Sequence, residues 1–238
     1  MRLQKVFLLF ILLFLSSQVL AKSIEMLIAK APINIEDKHS IERGAKFFAS
    51  NCMSCHTMIY LRYDSLAEKQ GVIYSKMPIN VTSWPSGVKP PDLSLEASLR
   101  TPNWIYTYLH SFYSDPSRPT GFNNLLVHNT AMPGIIAGFQ GQQVLANDLK
   151  NNKEIFKDNL EWYDLLTLKS KGSMSAEDFD ATITDVVNFL QYAAEPYKLQ
   201  QLRLGPWVLG FLVIFSILLY FLKKAYWKDL NKTPRYEE

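Results

Sequence analysis

Residues 50–57 read SNCMSCHT, and this stretch holds both cysteines of the 238-residue chain, Cys52 and Cys55. The two thiols have the spacing C-x-x-C, and His56 follows the second of them directly. A pair of cysteines in an exported protein can form a structural disulfide, act as a redox-active dithiol or attach a cofactor covalently. The histidine separates these uses, because an imidazole next to two thiols adds a metal ligand that a disulfide does not need.

The order C-x-x-C-H is typical of covalent haem attachment, in which Cys52 and Cys55 form thioether bonds with the haem vinyl groups and His56 is the proximal iron ligand. A thioredoxin-like dithiol would instead follow a β-strand. Residues 39–56 (HSIERGAKFFASNCMSCH) carry apolar and cysteine side chains in steps of 4, 3, 4 and 3, which predicts an amphipathic helix with Ser40 as a possible N-cap. We therefore expect one covalently attached haem c.

An electron-transfer haem needs a second axial ligand, and a methionine sulfur raises its reduction potential. Met77 (in SKMPIN) and Met132 (in NTAMPGII) both precede proline, which favours the extended backbone of a loop that crosses a haem face. Met174 comes just before a predicted helix and is interpreted as a solvated or packing residue. The apolar, glycine-containing sequence after Met132 favours it, but the residues leave Met77 open, and His110 and His128 are bis-histidine alternatives.

Residues 1–21 have the composition of a secretory signal peptide: a basic start, an apolar run from Val6 to Leu15 and a small-residue cleavage pattern that ends at Ala21. An uncleaved transmembrane anchor is the alternative, but ten apolar residues are too few to span a bilayer. The mature chain is therefore predicted to begin at Lys22.

Residues 204–222 (LGPWVLGFLVIFSILLYFL) carry no charge. As a helix they would be about 28 Å long, which matches a hydrocarbon core of about 30 Å, so we predict a transmembrane helix rather than a buried core helix. Five basic residues follow in residues 223–238. By the positive-inside rule this tail is cytoplasmic, and residues 22–203 form an exported, periplasmic haem domain.

The net charge of the whole chain, +3, is not that of the exported domain. Residues 1–21 contain two basic residues, and residues 223–238 contain five basic and three acidic ones, which leaves 18 basic and 19 acidic residues between them. Nucleic acid is therefore not an expected partner. Nine acidic residues and five lysines lie between Asp148 and Asp185; this acidic interval is either a solvated face or a docking surface for a basic soluble cytochrome c.

Two further helices are predicted in the exported domain, and the proline- and glycine-rich stretches at 84–97 and 111–124 are predicted to be loops. One helix follows Pro102 and carries three aromatic residues on one face. The other spans residues 175–194, with Ser175 and Asp178 as a capping box. Its apolar register matches that of the helix before CMSCH, so the two helices can pack together.

These pieces together resemble the cytochrome c1 family, the haem-bearing subunits of the quinol:cytochrome c oxidoreductase (cytochrome bc1) complex, in its bacterial form. The resemblance covers nearly the whole mature chain. It is carried by CMSCH, PPDLSL at 90–95, SFYSDPSRPTGFNN at 111–124, AMPG at 131–134 and FLQYAAEP at 189–196.

The resemblance implies a mainly α fold: a cytochrome c-like haem domain with long inserted loops, followed by one C-terminal transmembrane helix. It also implies that Met132 is the axial methionine and that Arg100 lies close to a haem propionate. The implied setting is a bacterial inner membrane, with cytochrome b and a Rieske iron–sulfur protein as partners and a soluble cytochrome c as acceptor. No separate catalytic activity is expected of the isolated chain. Another membrane-anchored mono-haem cytochrome c that feeds a terminal oxidase is the alternative.

Overall fold

The computed structural model describes residues 28–84, 87–146 and 162–230, without the side chains of the last two. The predicted signal peptide lies outside the described residues. The acidic interval up to residue 161 also lies outside them, and so does the predicted cytoplasmic tail from residue 231 onwards. These predictions stand as they were made from the sequence.

The described chain is mainly α-helical, as predicted, with two short β-hairpins. The α-helices are α1 (Lys38–Asn51), α2 (Ser65–Lys69), α3 (Glu96–Arg100), α4 (Pro102–His110), α5 (Ala137–Gln140), α6 (Ala176–Ala194) and α7 (Lys198–Leu230). Single 3₁₀ turns lie at Ile59–Leu61, Tyr74–Lys76 and Trp162–Leu165. The hairpins are formed by β1 (Phe112–Ser114) with β2 (Phe122–Asn124), and by β3 (Gly141–Leu145) with β4 (Leu166–Lys171), each antiparallel.

The predicted packing of α1 against α6 is confirmed, and it forms the centre of the core. Phe48 of α1 and Phe189 of α6 are fully buried, with ring centroids 5.7 Å apart. The helices approach closely because Gly44 has no side chain: a Cβ there would lie 1.9 Å from the carbonyl oxygen of Asp185. At the same crossing, Arg43 donates two hydrogen bonds to the Asp185 carboxylate, of 2.6 and 2.8 Å.

The beginnings of α1 and α6 test the two predicted caps. Ser175 caps α6, because its side chain accepts a hydrogen bond from the backbone N–H of Asp178 at 3.0 Å, as predicted. Ser40 does not cap α1. The helix begins at Lys38, and Asp37 is its N-cap, whose carboxylate accepts a hydrogen bond from the Ser40 backbone N–H at 3.1 Å. A carboxylate at this position stabilises the helix N-terminus as well as a hydroxyl does, and Ser40 is instead buried in the core.

The loop predicted for residues 111–124 is in part a hairpin, so that prediction was incomplete. Strands β1 and β2 pair over three residues each, with Phe112 opposite Asn124. The stretch lacks an alternating apolar pattern because the buried side chains of β2 are polar: Asn123 and Asn124 are each 1% exposed. Gly121, with φ of 74°, allows the chain to turn back into β2.

Helix α7 contains the predicted membrane-spanning segment. It is a continuous helix of 33 residues that begins six residues before Leu204, and its apolar side chains are exposed along its length. Within the described residues it is the one helix long and apolar enough to cross a membrane. Since α6 ends at Ala194 and α7 begins at Lys198, only a short turn connects the core helix to this segment.

Candidate functional site

The CMSCH sequence forms a tight turn at the end of α1. The backbone N–H of Cys52 still donates to the Phe48 carbonyl, at 2.9 Å, and so completes the helix. The N–H groups of Cys55 and His56 then both donate to the carbonyl of Cys52, at 3.0 and 2.8 Å. Two thiols and an imidazole are thus held within one turn. Both thiols are free of a disulfide; Cys52 is half-buried against the core and Cys55 is exposed.

The environment of Cys52 does not suit a redox-active dithiol. Burial of the thiol, together with the neighbouring Cys55, raises the pKa of Cys52 to about 12. A reactive thiol needs a lowered pKa, which thioredoxin-like proteins obtain at the N-terminus of a helix. Cys52 lies at the C-terminal end of α1, where the helix dipole disfavours a thiolate. The local geometry therefore argues against the dithiol alternative.

His56 is held in one orientation by the PPDLSL stretch, 35 residues further along the chain. Its Nδ1 lies 2.8 Å from the carbonyl oxygen of Pro91 and must donate, because a carbonyl only accepts. The neutral tautomer therefore carries its proton on Nδ1 and leaves the lone pair of Nε2 available for a metal. Burial of the ring lowers the pKa of His56, which favours this neutral form.

Asp92 fixes the Pro91 carbonyl relative to the histidine. Its carboxylate accepts hydrogen bonds from the Thr57 hydroxyl (2.6 Å) and from the backbone N–H groups of Ile59 (3.0 Å) and Ser94 (3.0 Å). The Leu93 N–H also donates to the Thr57 carbonyl, at 2.9 Å. These bonds join residues on both sides of the site, so the PPDLSL stretch acts as a clamp on the turn that contains His56.

Met132 lies in a loop whose sulfur faces a tyrosine of α4. The Tyr108 hydroxyl donates to the Met132 sulfur at 3.6 Å and lies 2.9 Å from the Thr130 hydroxyl. Met132 is half-buried and packs against the same core as Cys52. Two residues further on, Gly134 lies under the ring of Phe122: a Cβ there would be 2.5 Å from a ring carbon. The glycine of AMPG thus lets the methionine loop pack onto β2.

The RPTGFNN stretch holds the loop that contains Met132 through hydrogen bonds to its backbone. The side-chain oxygen of Asn123 accepts the backbone N–H of Asn129 at 2.8 Å, and Arg118 donates to the Asn129 carbonyl at 3.2 Å. Asn129 has φ of 63°, a left-handed conformation that asparagine tolerates better than most residues. The RPTGFNN and AMPG stretches therefore act together, because the first fixes the backbone that presents Met132.

The other candidate ligands have different surroundings. Met77 is 7% exposed, and its sulfur accepts the backbone N–H of Met58 at 3.2 Å. The Met174 sulfur accepts the Thr182 hydroxyl at 3.8 Å. His110 is 5% exposed, with its Nδ1 2.8 Å from the Tyr106 carbonyl. His128 is exposed.

Arg100 ends α3 and is connected to the methionine loop through two aromatic rings. Its guanidinium carbon lies 4.9 Å from the ring centroid of Trp104, and its Nε lies 3.6 Å from Glu96. Trp104 stacks on Tyr108 at 5.1 Å with an interplanar angle of 9°. A row of contacts thus runs from Arg100 along α4 to the sulfur of Met132. The Arg100 side chain is 57% exposed and can reach an anionic group at the surface.

The donors in this region fit a covalently bound haem. They comprise two unpaired thiols, an imidazole whose Nε2 is left free by its tautomer, and a thioether in an aromatic setting. Within the described residues no group of three or more His, Cys, Asp or Glu could hold a metal ion by itself. The sequence predicted the donors and an aromatic face that includes Tyr108, but it identified neither Pro91 and Asp92 as supports of His56 nor the contact of Tyr108 with Met132. The PPD stretch was a signal for the first two, since it is part of the family resemblance.

A helix that ends in C-x-x-C-H, crosses a second helix and is followed by a long apolar helix defines the class of membrane-anchored c-type cytochromes. The sequence profile of the Cytochrome C1 family matches residues 28–84 and 80–230. The chain belongs to the cytochrome c1 family.

Individual relatives agree with this assignment. A cytochrome c1 of Allochromatium vinosum is 35% identical, over 84% of this chain and 88% of the relative. A cytochrome c1 of Rhodospirillum rubrum is 28% identical, over 82% of this chain and 83% of the relative. A protein of Nitrosomonas europaea named ammonia monooxygenase gamma subunit is 34% identical, over 87% of this chain and 90% of the relative.

Proposed function

We propose that this chain is the cytochrome c1 subunit of a bacterial cytochrome bc1 complex and carries single electrons from a Rieske iron–sulfur protein to a soluble cytochrome c. The observation that supports this most strongly is the clamp on His56. The Pro91 carbonyl sets the tautomer of the imidazole, and the clamp connects two stretches through which the chain resembles the family.

Each site residue has a separate role in this proposal. Cys52 and Cys55 would attach the porphyrin, His56 and Met132 would be the two protein ligands of the iron, and Arg100 would neutralise a propionate. When bound, haem c supplies a one-electron ferric–ferrous couple. The protein performs no acid–base or nucleophilic step, so the isolated chain is an electron carrier.

The surroundings of the site support a high reduction potential. The half-buried, apolar side chains of Trp104, Tyr108 and Leu93 pack on the same core as Cys52 and Met132. An apolar, water-poor site disfavours the additional positive charge of the ferric state. A thioether ligand acts in the same direction, because it stabilises ferrous iron.

The location and partners follow from the same proposal. Helix α7 anchors the haem domain to a bacterial inner membrane beside cytochrome b, with the haem domain in the periplasm and the basic tail in the cytoplasm. The acidic interval would favour transient docking of a basic cytochrome c through its charge.

Purification in a mild detergent tests the proposal against its alternatives. We expect a cytochrome b and a Rieske protein to co-purify with the chain, and quinol to reduce its haem only when the Rieske protein is present. A terminal oxidase in their place would favour the alternative of a cytochrome that feeds an oxidase directly. A monooxygenase would instead favour the function that the name of the Nitrosomonas relative suggests.

A further inference from the structure

Three residues form a closed set of contacts at the methionine loop. The Tyr108 hydroxyl lies 3.6 Å from the Met132 sulfur and 2.9 Å from the Thr130 hydroxyl, and the backbone N–H of Met132 donates to that same Thr130 hydroxyl at 3.4 Å. The side chain of Tyr108, from helix α4, thus connects Thr130 and Met132 of the methionine loop.

Only one arrangement of protons satisfies all three contacts. A thioether carries no proton, so Tyr108 must donate to the Met132 sulfur. With its proton used in this way, the tyrosine oxygen accepts from Thr130, whose own oxygen accepts from the Met132 N–H. Hydrogen bonds in such a series polarise one another, so the threonine makes the phenol a stronger donor to sulfur.

The position of the tyrosine ring is fixed by its neighbours rather than by this hydrogen bond. Trp104 stacks on it at 5.1 Å, and Phe112 contacts it edge-on at 5.0 Å. Since helix α4 holds Trp104 and Tyr108 in successive turns, these ring contacts direct the hydroxyl at the sulfur. Because the ring is already held in position, little conformational freedom is lost when the hydrogen bond forms, so even a weak hydrogen bond contributes.

We propose that Tyr108 is a positioning residue that raises the reduction potential of the bound haem by donating a hydrogen bond to the sulfur of Met132. This rests on the proposed function, in which Met132 is the axial ligand. The hydrogen bond withdraws electron density from the sulfur lone pairs. The sulfur then donates less well to ferric iron, which needs that density more than ferrous iron does, and the ferrous state is favoured.

The test uses the full-length, haem-loaded chain with the substitution Tyr108→Phe, which removes the hydroxyl and keeps the ring. A hydrogen bond of ordinary net strength is worth about a two- to tenfold change in an equilibrium constant. We expect the reduction equilibrium to shift by that factor towards the ferric state, which corresponds to about 20–60 mV for a one-electron couple. Tyr106→Phe is the matched control: it removes a hydroxyl from the same helix, but one that donates to Asp180, and should leave the potential unchanged.

A second measurement separates an electronic role from a packing role. Without the hydrogen bond, the sulfur binds ferric iron more tightly, so imidazole should displace Met132 from the ferric Tyr108→Phe variant about two- to tenfold less readily. If Tyr108 only filled space, its truncation would loosen the methionine and make displacement easier. Thr130→Val, which removes the donor to Tyr108, should shift the potential in the same direction by a smaller factor, and it serves if Tyr108→Phe fails to incorporate haem.

The outcomes distinguish this proposal from the proposed function. An unchanged potential in Tyr108→Phe, or easier displacement by imidazole, would overturn the role of Tyr108 while leaving the haem site intact. If Met132→Leu retained the sulfur-to-iron charge-transfer absorption, the ligand assignment itself would be wrong, and the role of Tyr108 would fall with it.

Discussion

Met132 and Met77 both precede proline in the sequence, but their sulfurs lie in different environments. The Met132 sulfur accepts a hydrogen bond from a side chain in a half-buried loop. The Met77 sulfur is buried and accepts a backbone N–H. Met77 is thus a packed core residue whose sulfur is held by the backbone, whereas Met132 lies in the AMPG loop through which the chain resembles the family.

We therefore predict that Met132→Leu abolishes the weak sulfur-to-iron charge-transfer band of the ferric haem and lowers the potential sharply. Met77→Leu, which is close in volume, should change both only slightly. Absorption spectra and redox titrations of the two purified variants measure this. If Met77→Leu lost the band and lowered the potential while Met132→Leu did neither, Met77 would be the ligand.

Asp92 gives the site a dependence on pH. Burial acts to raise the pKa of Asp92, but the hydrogen bonds that it accepts from Ser94, Thr57 and Ile59 outweigh burial and hold the pKa below its ordinary value. A depressed carboxyl pKa stabilises the folded state above the unfolded value of about 4, and this contribution is lost as the pH falls through the lower, folded value.

We predict that Asp92→Asn lowers the free energy of unfolding at pH 7 by about 1.5–3 kcal/mol, because the amide cannot accept on both sides as the carboxylate does. The difference from the wild type should shrink as the pH falls below about 4, because the carboxyl takes up a proton in the unfolded wild-type chain before it does so in the folded one. Urea denaturation at several pH values, followed by haem absorption, measures this. Glu36→Gln, at an exposed carboxylate, is the control; a difference that stayed constant with pH would exclude the ionic role of Asp92.

The predictable part of the site is the part that is local in sequence. Cys52, Cys55 and His56 lie in one turn, so a short motif specifies them. The Pro91 carbonyl that orients His56 is 35 residues away, and the Tyr108 hydroxyl is 24 residues from Met132. Such contacts depend on how the elements pack, which the spacing of residues within one stretch does not determine. The resemblance to a family drew attention to the stretch with Pro91, and the aromatic face predicted for the helix after Pro102 drew attention to Tyr108.

At the scale of elements, the crossing of α1 and α6 holds the turn that contains CMSCH in place. Its separation is set by Gly44, where a Cβ would lie 1.9 Å from the Asp185 carbonyl oxygen and 2.9 Å from the Cβ of Phe189. Because the nearest atom belongs to backbone, no change of rotamer can relieve the clash. One of the helices would have to move.

We predict that Gly44→Ala destabilises the haem domain by at least about 1–3 kcal/mol, the usual cost of overpacking a core. Gly138→Ala is the control, because a Cβ at Gly138 meets nothing within 4 Å. Thermal denaturation of both variants measures the effect. Equal stability of Gly44→Ala and the wild type would show that the two helices separate without cost.

Helices were predicted more completely than strands, for a physical reason. The apolar faces of α1 and α6 repeat with the helical period, so their existence and mutual packing follow from the pattern. Strand β2 buries Asn123 and Asn124, whose amides replace apolar contacts with hydrogen bonds to the neighbouring loop. A strand with a polar buried face has no apolar alternation to detect. The position of the α1 cap differed because Asp37 and Ser40 are both good capping residues.

At the scale of the whole molecule, the topology depends on the charges around α7. The helix exposes its apolar side chains, and five basic residues follow Leu222. We predict that alkaline phosphatase fused after Glu238 is inactive, because it stays in the cytoplasm, and that the same enzyme fused after Arg203 is active in the periplasm. Activity of the first fusion would reverse the orientation.

The central claim is that this chain carries a covalently bound haem at Cys52 and Cys55, and the most direct test is haem peroxidase staining after denaturing gel electrophoresis. We predict that the stain migrates with the full-length chain, survives acid–acetone extraction, and is lost when both cysteines are replaced by serine. A haem that acid–acetone removes from the wild-type chain, or a stain that persists in the double variant, would contradict the claim.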